Sequence, residues 1–459
     1  MHACFLDRQP ADSIPLIPVL EDQFQPWLAQ QEPAMSRWLS NTGFTAKPGS
    51  LSLVPGRDGT LDAVVVGIAK TSDFWACGAL STQLPAGSYH LVTDWDAAAV
   101  QGLTIGWGLG AYHYTRYKSQ DPVEAKLVID PACNADVINT QVAATYLVRD
   151  LINTPAEDMM PEHLADAITT VGRACGATVT QIVGDDLLAQ NYPTIHCVGR
   201  ASAHAPRLVD LRWGETHHPK LTLVGKGVCF DSGGLDIKPA SGMRMMKKDM
   251  GGAAHALGLA QMVMHTGLPV QLRLLVPAVE NAVSGQAFRP GDVIKSRQGL
   301  TIEVDNTDAE GRLILCDALA EGSTEKPDLM IDFATLTGAA RVALGTELPA
   351  LFTNSDSVAA GLLAGAACTH DPLWRMPLHT PYRSMLNSTI ADIANAASAP
   401  FGGAITAALF LREFVAHEVD WAHLDIMAWN RNSQPGRPEG GEAMGLRAIF
   451  AYLNQRFSA

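Results

Sequence analysis

Residues 221–265 read LTLVGKGVCFDSGGLDIKPASGMRMMKKDMGGAAHALGLAQMVMH. The opening run, 221–224, is apolar and suits a buried strand. It ends in Gly225-Lys226-Gly227, and Asp231 follows among glycines and small residues. Glycines let a backbone turn sharply and approach a ligand closely. The stretch closes on 253–265, whose pattern predicts a helix with Asp249 just ahead of it. An aspartate there is ordinarily a helix cap. A buried strand, a glycine-rich loop and a helix in that order are the unit of an α/β fold.

The same rhythm continues outward from this stretch. Residues 271–276, 329–333 and 422–426 read as strands, and 358–367 and 404–417 as helices. From residue 153 onward the alternation predicts an α/β domain with a mixed central sheet flanked by helices. Ahead of it, 137–152 has apolar residues at helical steps, ended by Asn153-Thr154-Pro155. In the first 130 residues, 61–69 is a β-branched run fit for a strand and 89–93 a second candidate. The segment 97–117 has helical patches interrupted by glycines. The expectation is a small N-terminal α/β domain (1–135), a connecting helix (136–152) and a larger catalytic α/β domain (153–459).

The chain has 459 residues, 47% hydrophobic and 17% charged, which suits a well-packed fold and not disorder. Its net charge of -14 disfavours phosphate backbones, so nucleic acid is not an expected partner. Eight cysteines at wide spacings form no C-x-x-C pair and predict reduced thiols. No basic-then-apolar leader opens the sequence and no run of about 20 apolar residues occurs in it. A cytoplasmic protein without a membrane partner is expected.

Several familiar motifs fail at the glycine-rich loop. Lys220 occupies the place of the first glycine of a P-loop. Phe230 stands where a nucleophile elbow needs glycine before Ser232. None of the fourteen histidines belongs to an HExxH motif. A third segment, 304–313 (VDNTDAEGRL), places Asp308, Glu310 and Arg312 at alternate positions, which an extended backbone would point to one side. Together the segments offer Asp231, Asp249, Asp308 and Glu310. Four convergent carboxylates repel one another unless cations lie between them, and they can hold two divalent ions about 3.5–4 Å apart.

At these residues the chain resembles the leucyl aminopeptidase family, the M17 metallopeptidases. Residues 306–313 (NTDAEGRL) look like its signature octapeptide. Lys226, Asp231 and Lys238 stand in what looks like its Gly-Lys-Gly…Asp-Ser-Gly-Gly…Lys-Pro block, and 248–252 (KDMGG) matches the next block. The resemblance runs from about residue 148 to the C-terminus. It implies one metal held by Asp231, Asp308 and Glu310, including the Asp308 carbonyl. It implies a second held by Lys226, Asp231, Asp249 and Glu310. Zn²⁺ or Mn²⁺ is expected first, with Mg²⁺ or Co²⁺ also able to use such ligands.

The resemblance further implies a metal-activated water as nucleophile, Lys238 as stabiliser of the oxyanion, and a proton-shuttling bicarbonate at Arg312. Substrates would be peptides with a free N-terminus, leucine-like first. Met246, Thr335 and Gly338 would form the pocket for the first side chain, with Met444 at its mouth. A homohexamer is implied as well. Departures lie at 427–429 (MAW), where smaller residues are expected, and in the patternless N-terminal region. The competing readings are a two-metal phosphoesterase and a non-catalytic metal-binding protein.

Overall fold

A computed structural model describes residues 2–119 and 121–458. The chain divides into two units. One comprises Met1–Tyr146 with Asn432–Glu439, the other Leu147–Arg431 with Gly440–Ala459. The first unit is built on a six-stranded sheet of β1 (Phe5–Leu6), β2 (Ile14–Leu20), β3 (Leu51–Pro55), β4 (Leu61–Ile68), β5 (Gly87–Leu91) and β6 (Ala125–Val128). Their order is β1-β6-β5-β2-β4-β3, parallel except for the β3–β4 pair. The β-branched run at 61–69 is the buried β4. Ala97–Gly110 is one continuous helix, ending short of residue 117. Its glycines do not break it because they serve packing. A Cβ on Gly106 would stand 2.2 Å from the Phe74 carbonyl oxygen.

The helix expected at 137–152 spans Ala135–Asn153, and the division between the units falls within it, after Tyr146. The second unit holds a nine-stranded sheet. Its members are β7 (Thr178–Val183), β8 (Arg207–Trp213), β9 (Lys220–Gly225), β10 (Gly227–Asp231) and β11 (Gln271–Asn281). A small separate sheet takes β12 (Val293–Lys295) and β13 (Thr301–Glu303). The large sheet continues with β14 (Leu329–Ala334), β15 (Ala350–Thr353) and β16 (Trp374–Arg375). Then come β17 (Ile393–Ala394) of the small sheet and β18 (Trp421–Asp425) of the large one. The order of the large sheet is β16-β15-β18-β14-β9-β11-β8-β7, with β10 also paired to β11.

Five of its pairs are parallel, among them β18–β14, β14–β9, β9–β11 and β10–β11. The β11–β8, β8–β7 and β15–β18 pairs are antiparallel, so the sheet is mixed as expected. β9 and β14 are largely apolar, with Thr222 and Asp332 as buried exceptions, because both of their faces are covered. Helices Gly251–His265 and Glu310–Ser323 are buried along most of their length. A Cβ on Gly252 would stand 2.2 Å from the Phe333 carbonyl oxygen, so glycine there lets the helix close on β14.

Other helices span Asp356–Thr369 and Gly403–Arg412, the latter ending before the expected residue 417. Among the described residues no helix is long and apolar enough to cross a membrane.

Candidate metal centre

Three parallel strands deliver the site from the same end of the sheet. Lys226 follows β9, Asp231 ends β10, and Thr335 follows β14. Carboxyl ends of parallel strands are where open α/β sheets place ligands. After Asp231 the chain turns through Gly233 and Gly234 at φ of 87° and 65°, a left-handed path that glycine adopts without strain. This loop returns Lys238 toward Asp231. Thr307 fastens it, donating to the Gly233 carbonyl at 2.7 Å and accepting from the Asp236 backbone N–H at 2.9 Å.

Two expectations of local structure change here. Asp249 does not cap the helix: it lies in the 3₁₀ turn Met246–Met250, and its oxygens face Lys226 and Thr335 instead. Residues 308–312 are not an extended run. Glu310 opens the helix Glu310–Ser323, so Glu310 and Arg312 leave that helix in different directions. Glu310 still reaches the carboxylate cluster, whereas Arg312 donates to the Asn395 carbonyl at 2.6 Å. The helix begins there because a carboxylate in its first turn suits the positive end of the helix dipole.

Six predicted residues converge. Lys226 Nζ lies 2.7 Å from Asp249 and 3.0 Å from Glu310, and donates to the Thr335 carbonyl at 2.9 Å. A Cβ at residue 311 would stand 2.5 Å from the Lys226 side chain, so Gly311 is what admits it. Lys238 Nζ lies 2.8 Å from Asp231 and is also paired with Asp308. Asp231 accepts further bonds from the Gly233 N–H and from Asn281 Nδ2, both at 2.9 Å. All but Asp308 and Lys238 are essentially buried.

The electrostatics of this cluster are unbalanced. Four carboxylates face two ammonium groups, and 4 − 2 leaves two negative charges unmatched. Burial, then Asp231, pushes Glu310 up to about 8. Burial, then Asp249, pushes Asp231 up to about 6. Burial alone would lower Lys226, but Asp249 and Glu310 carry it above its usual range. Carboxylate oxygens of Asp231, Asp308 and Glu310 lie within 4.8 Å of one another. Neither oxygen of Glu310 accepts a well-directed hydrogen bond, although Oε1 is near Lys226. A converging oxygen set short of two positive charges fits divalent cations.

The cluster opens on a cavity of about 280 Å³ whose lining includes Met246, Thr335, Gly338 and Arg312. Met444 is buried and does not line it; its N–H donates to His255 Nε2 at 2.8 Å. Burial lowers Arg312 to about 10.

Against known proteins, residues 146–450 match the cytosol aminopeptidase family catalytic domain, and residues 14–130 the M17 aminopeptidase N-terminal domain. This chain belongs to the cytosol aminopeptidase family. It is a leucyl-aminopeptidase-type exopeptidase, and the family is metal-dependent. The crystal structure of a cytosol aminopeptidase from Coxiella burnetii is 49% identical, covers 99% of this chain and all of its own, and superposes with a TM-score of 0.97. The bottromycin maturation enzyme BotP in complex with Mn is 34% identical over 97% of this chain and all of its own, with a TM-score of 0.88. A peptidase B of Pectobacterium carotovorum is 38% identical over 92% of this chain and 96% of its own length.

Sequence reasoning passed over several residues of this aminopeptidase site. Asn281, the last residue of β11, holds Asp231 and also donates to the Thr307 carbonyl at 3.1 Å. Asn395 anchors Arg312 and donates to the Asn306 carbonyl at 2.7 Å. A buried polar residue at a strand end was the available signal for Asn281. Asn395 carries no such signal, because it lies over 80 residues from the groups it holds.

Proposed function

We propose that this aminopeptidase releases single N-terminal residues, leucine-like ones among them, by hydrolysis at a pair of divalent ions. The observation that carries the reading is the cluster of four carboxylates, three of them buried, with two unmatched charges at the carboxyl ends of parallel strands. Asp231, Asp308 with its carbonyl, and Glu310 would hold one ion. Lys226, Asp231, Asp249 and Glu310 would hold the other. The Mn-bound relative supports Mn²⁺ as one choice, beside Zn²⁺, Mg²⁺ and Co²⁺. Bound there, such ions acidify a water and polarise a carbonyl.

The chain's own groups then divide the remaining work. Lys226 would have to be neutral to serve as a ligand, a form that a neighbouring dication would favour. Lys238, partly exposed beside Asp308, faces the cavity where a tetrahedral oxygen would gain charge. Arg312 stays cationic and would hold a bicarbonate as proton carrier. Met246, Thr335 and Gly338 would flank the first side chain, Met246 being adaptable to branched aliphatic groups. A cytoplasmic homohexamer acting on peptides with a free N-terminus completes the proposal.

The test is hydrolysis of leucine amides by metal-stripped protein before and after Mn²⁺ or Zn²⁺ is returned. Activity that returns with metal and requires a free α-amine is the expected result. Turnover of phosphoesters in its place would favour the phosphoesterase reading.

A further inference from the structure

The segment 305–309, which carries Asp308 and its carbonyl, is held by two asparagines that stay out of the cavity. Asn281 and Asn395 are buried, at 1% and 0% exposure, and neither lines the cavity. Asn281 approaches from the end of β11. Its Nδ2 donates to Asp231 Oδ1 at 2.9 Å and to the Thr307 carbonyl at 3.1 Å. A carboxylate and a carbonyl only accept, so the amide is fixed with its nitrogen toward them. Its Oδ1 has no hydrogen-bond partner among the described residues, so the donor side does all the holding. Gly234 leaves room for that oxygen, since a Cβ there would stand 2.8 Å from it.

Asn395 approaches from the small sheet, one residue beyond β17. Its backbone N–H donates to the Glu303 carbonyl at 2.9 Å, which extends the β13–β17 ladder. Its side chain takes over where the ladder stops. Oδ1 accepts from the Asp305 and Asn306 N–H groups at 2.8 and 3.2 Å. Nδ2 donates to the Asn306 carbonyl at 2.7 Å and to the Ala309 carbonyl at 3.4 Å. The tied residues lie on both sides of Asp308, so its carbonyl is fixed through the backbone. None of these bonds reaches Asp231, Asp249 or Glu310.

The two asparagines therefore act on different ligands. This inference rests on the two-ion reading, in which Asp231 belongs to both ions and Asp308 to one. A group that orients a ligand without touching the metal changes affinity about 10–100-fold when it is removed. We propose that Asn281 and Asn395 are positioning residues with separable effects. Asn281 sets the retention of both ions through Asp231, and Asn395 sets the retention of the one ion that takes Asp308. Their loss should give two different metal contents, not two degrees of one defect.

The test equilibrates the full chain with Mn²⁺ against a graded chelator and reads ions bound per chain. The proteins are wild type, Asn281→Leu, Asn395→Leu and Asn395→Asp. Leucine keeps the side-chain volume and removes every polar bond. Asn395→Leu should weaken one ion about 10–100-fold and leave the other within about threefold, so that a plateau at one ion per chain widens. Asn281→Leu should weaken both ions about tenfold or more, without widening that plateau. Asn395→Asp keeps the acceptor for the Asp305 and Asn306 N–H groups, so it should lie between wild type and Asn395→Leu and affect the same single ion. Thermal unfolding of the metal-stripped proteins checks the fold. Asn395→Asp serves if Asn395→Leu does not fold. Asn281→Ser, which keeps one hydroxyl donor, serves for Asn281→Leu with a smaller loss of both ions expected. Variants at both positions that hold both ions as tightly as wild type would overturn the inference. So would parallel loss of both ions in the Asn395 variants. A wild type that takes up fewer than two ions would instead remove the two-ion reading beneath it.

Discussion

The helix Glu310–Ser323 ends in two charge clusters that differ in one respect. At its first residue Glu310 joins three other carboxylates against two lysines. Near its other end Glu321 joins Asp210 and Glu325 against Arg212, Arg273 and Arg297. The second cluster is matched, three against three. Arg273 reaches Asp210 and Glu321 at 2.7 Å each, and Arg212 reaches Glu325 at 2.7 Å. The titration shifts run oppositely. Glu310 rises to about 8, whereas Glu321 falls below its usual value. Charge balance, more than the number of charges, separates a cluster that completes itself from one that waits for a cation.

The largest expected effect tests the unbalanced end. Lys238→Ala should lower kcat by about 10²–10³, the usual scale for loss of one oxyanion-stabilising donor. Bound metal should stay near the wild-type amount, because Lys238 is not among the proposed ligands. Asp308→Ala should lose both activity and metal. Metal analysis beside steady-state kinetics separates the two variants, and a Lys238→Ala enzyme of undiminished kcat would remove that lysine's role. Arg312→Ala should slow turnover less, with partial recovery on adding bicarbonate; unchanged turnover with or without bicarbonate would count against a proton carrier there.

The strand ends and their acids were legible in the sequence because buried parallel strands write themselves as apolar runs, and glycines mark where the backbone must turn. The same local reading misplaced Asp249 as a cap, since nothing nearby in sequence announces Lys226 or Thr335 as its partners. It also read 308–312 as extended, because alternation is visible in sequence while a helix opening at Glu310 depends on burial against the sheet.

A middle-sized effect tests the balanced end. Arg273→Met keeps much of the side-chain volume but leaves Asp210 with Arg212 alone and Glu321 with Arg297 alone. The loss should be about 2–3 kcal/mol, below the range for fully buried pairs because the acids are partly hydrated. Activity per folded, metal-loaded molecule should be unchanged, since the network lies away from the cavity. Thermal unfolding and titrated active enzyme measure the two quantities. A fall in activity without a fall in stability would mean that the two ends of the helix are coupled.

The smallest effect concerns acid. Burial alone would raise Glu321, but its hydrogen bond to Arg273 and the charges of Arg273 and Arg297 carry it below its ordinary 4.5. A carboxyl depressed on folding binds fewer protons in the native state than in the unfolded chain. Its stabilisation is therefore complete above pH 4.5 and is lost as pH falls through the depressed value. Glu321→Gln removes that contribution, on the order of 1 kcal/mol. The stability difference between wild type and Glu321→Gln should be constant from pH 7 to 5 and shrink below 4.5. Taking the difference cancels acid effects at the metal ligands, which both proteins share. A gap that instead widened on acidification would mean that Glu321 is protonated more readily in the fold than outside it, and the matched description of this cluster would fail.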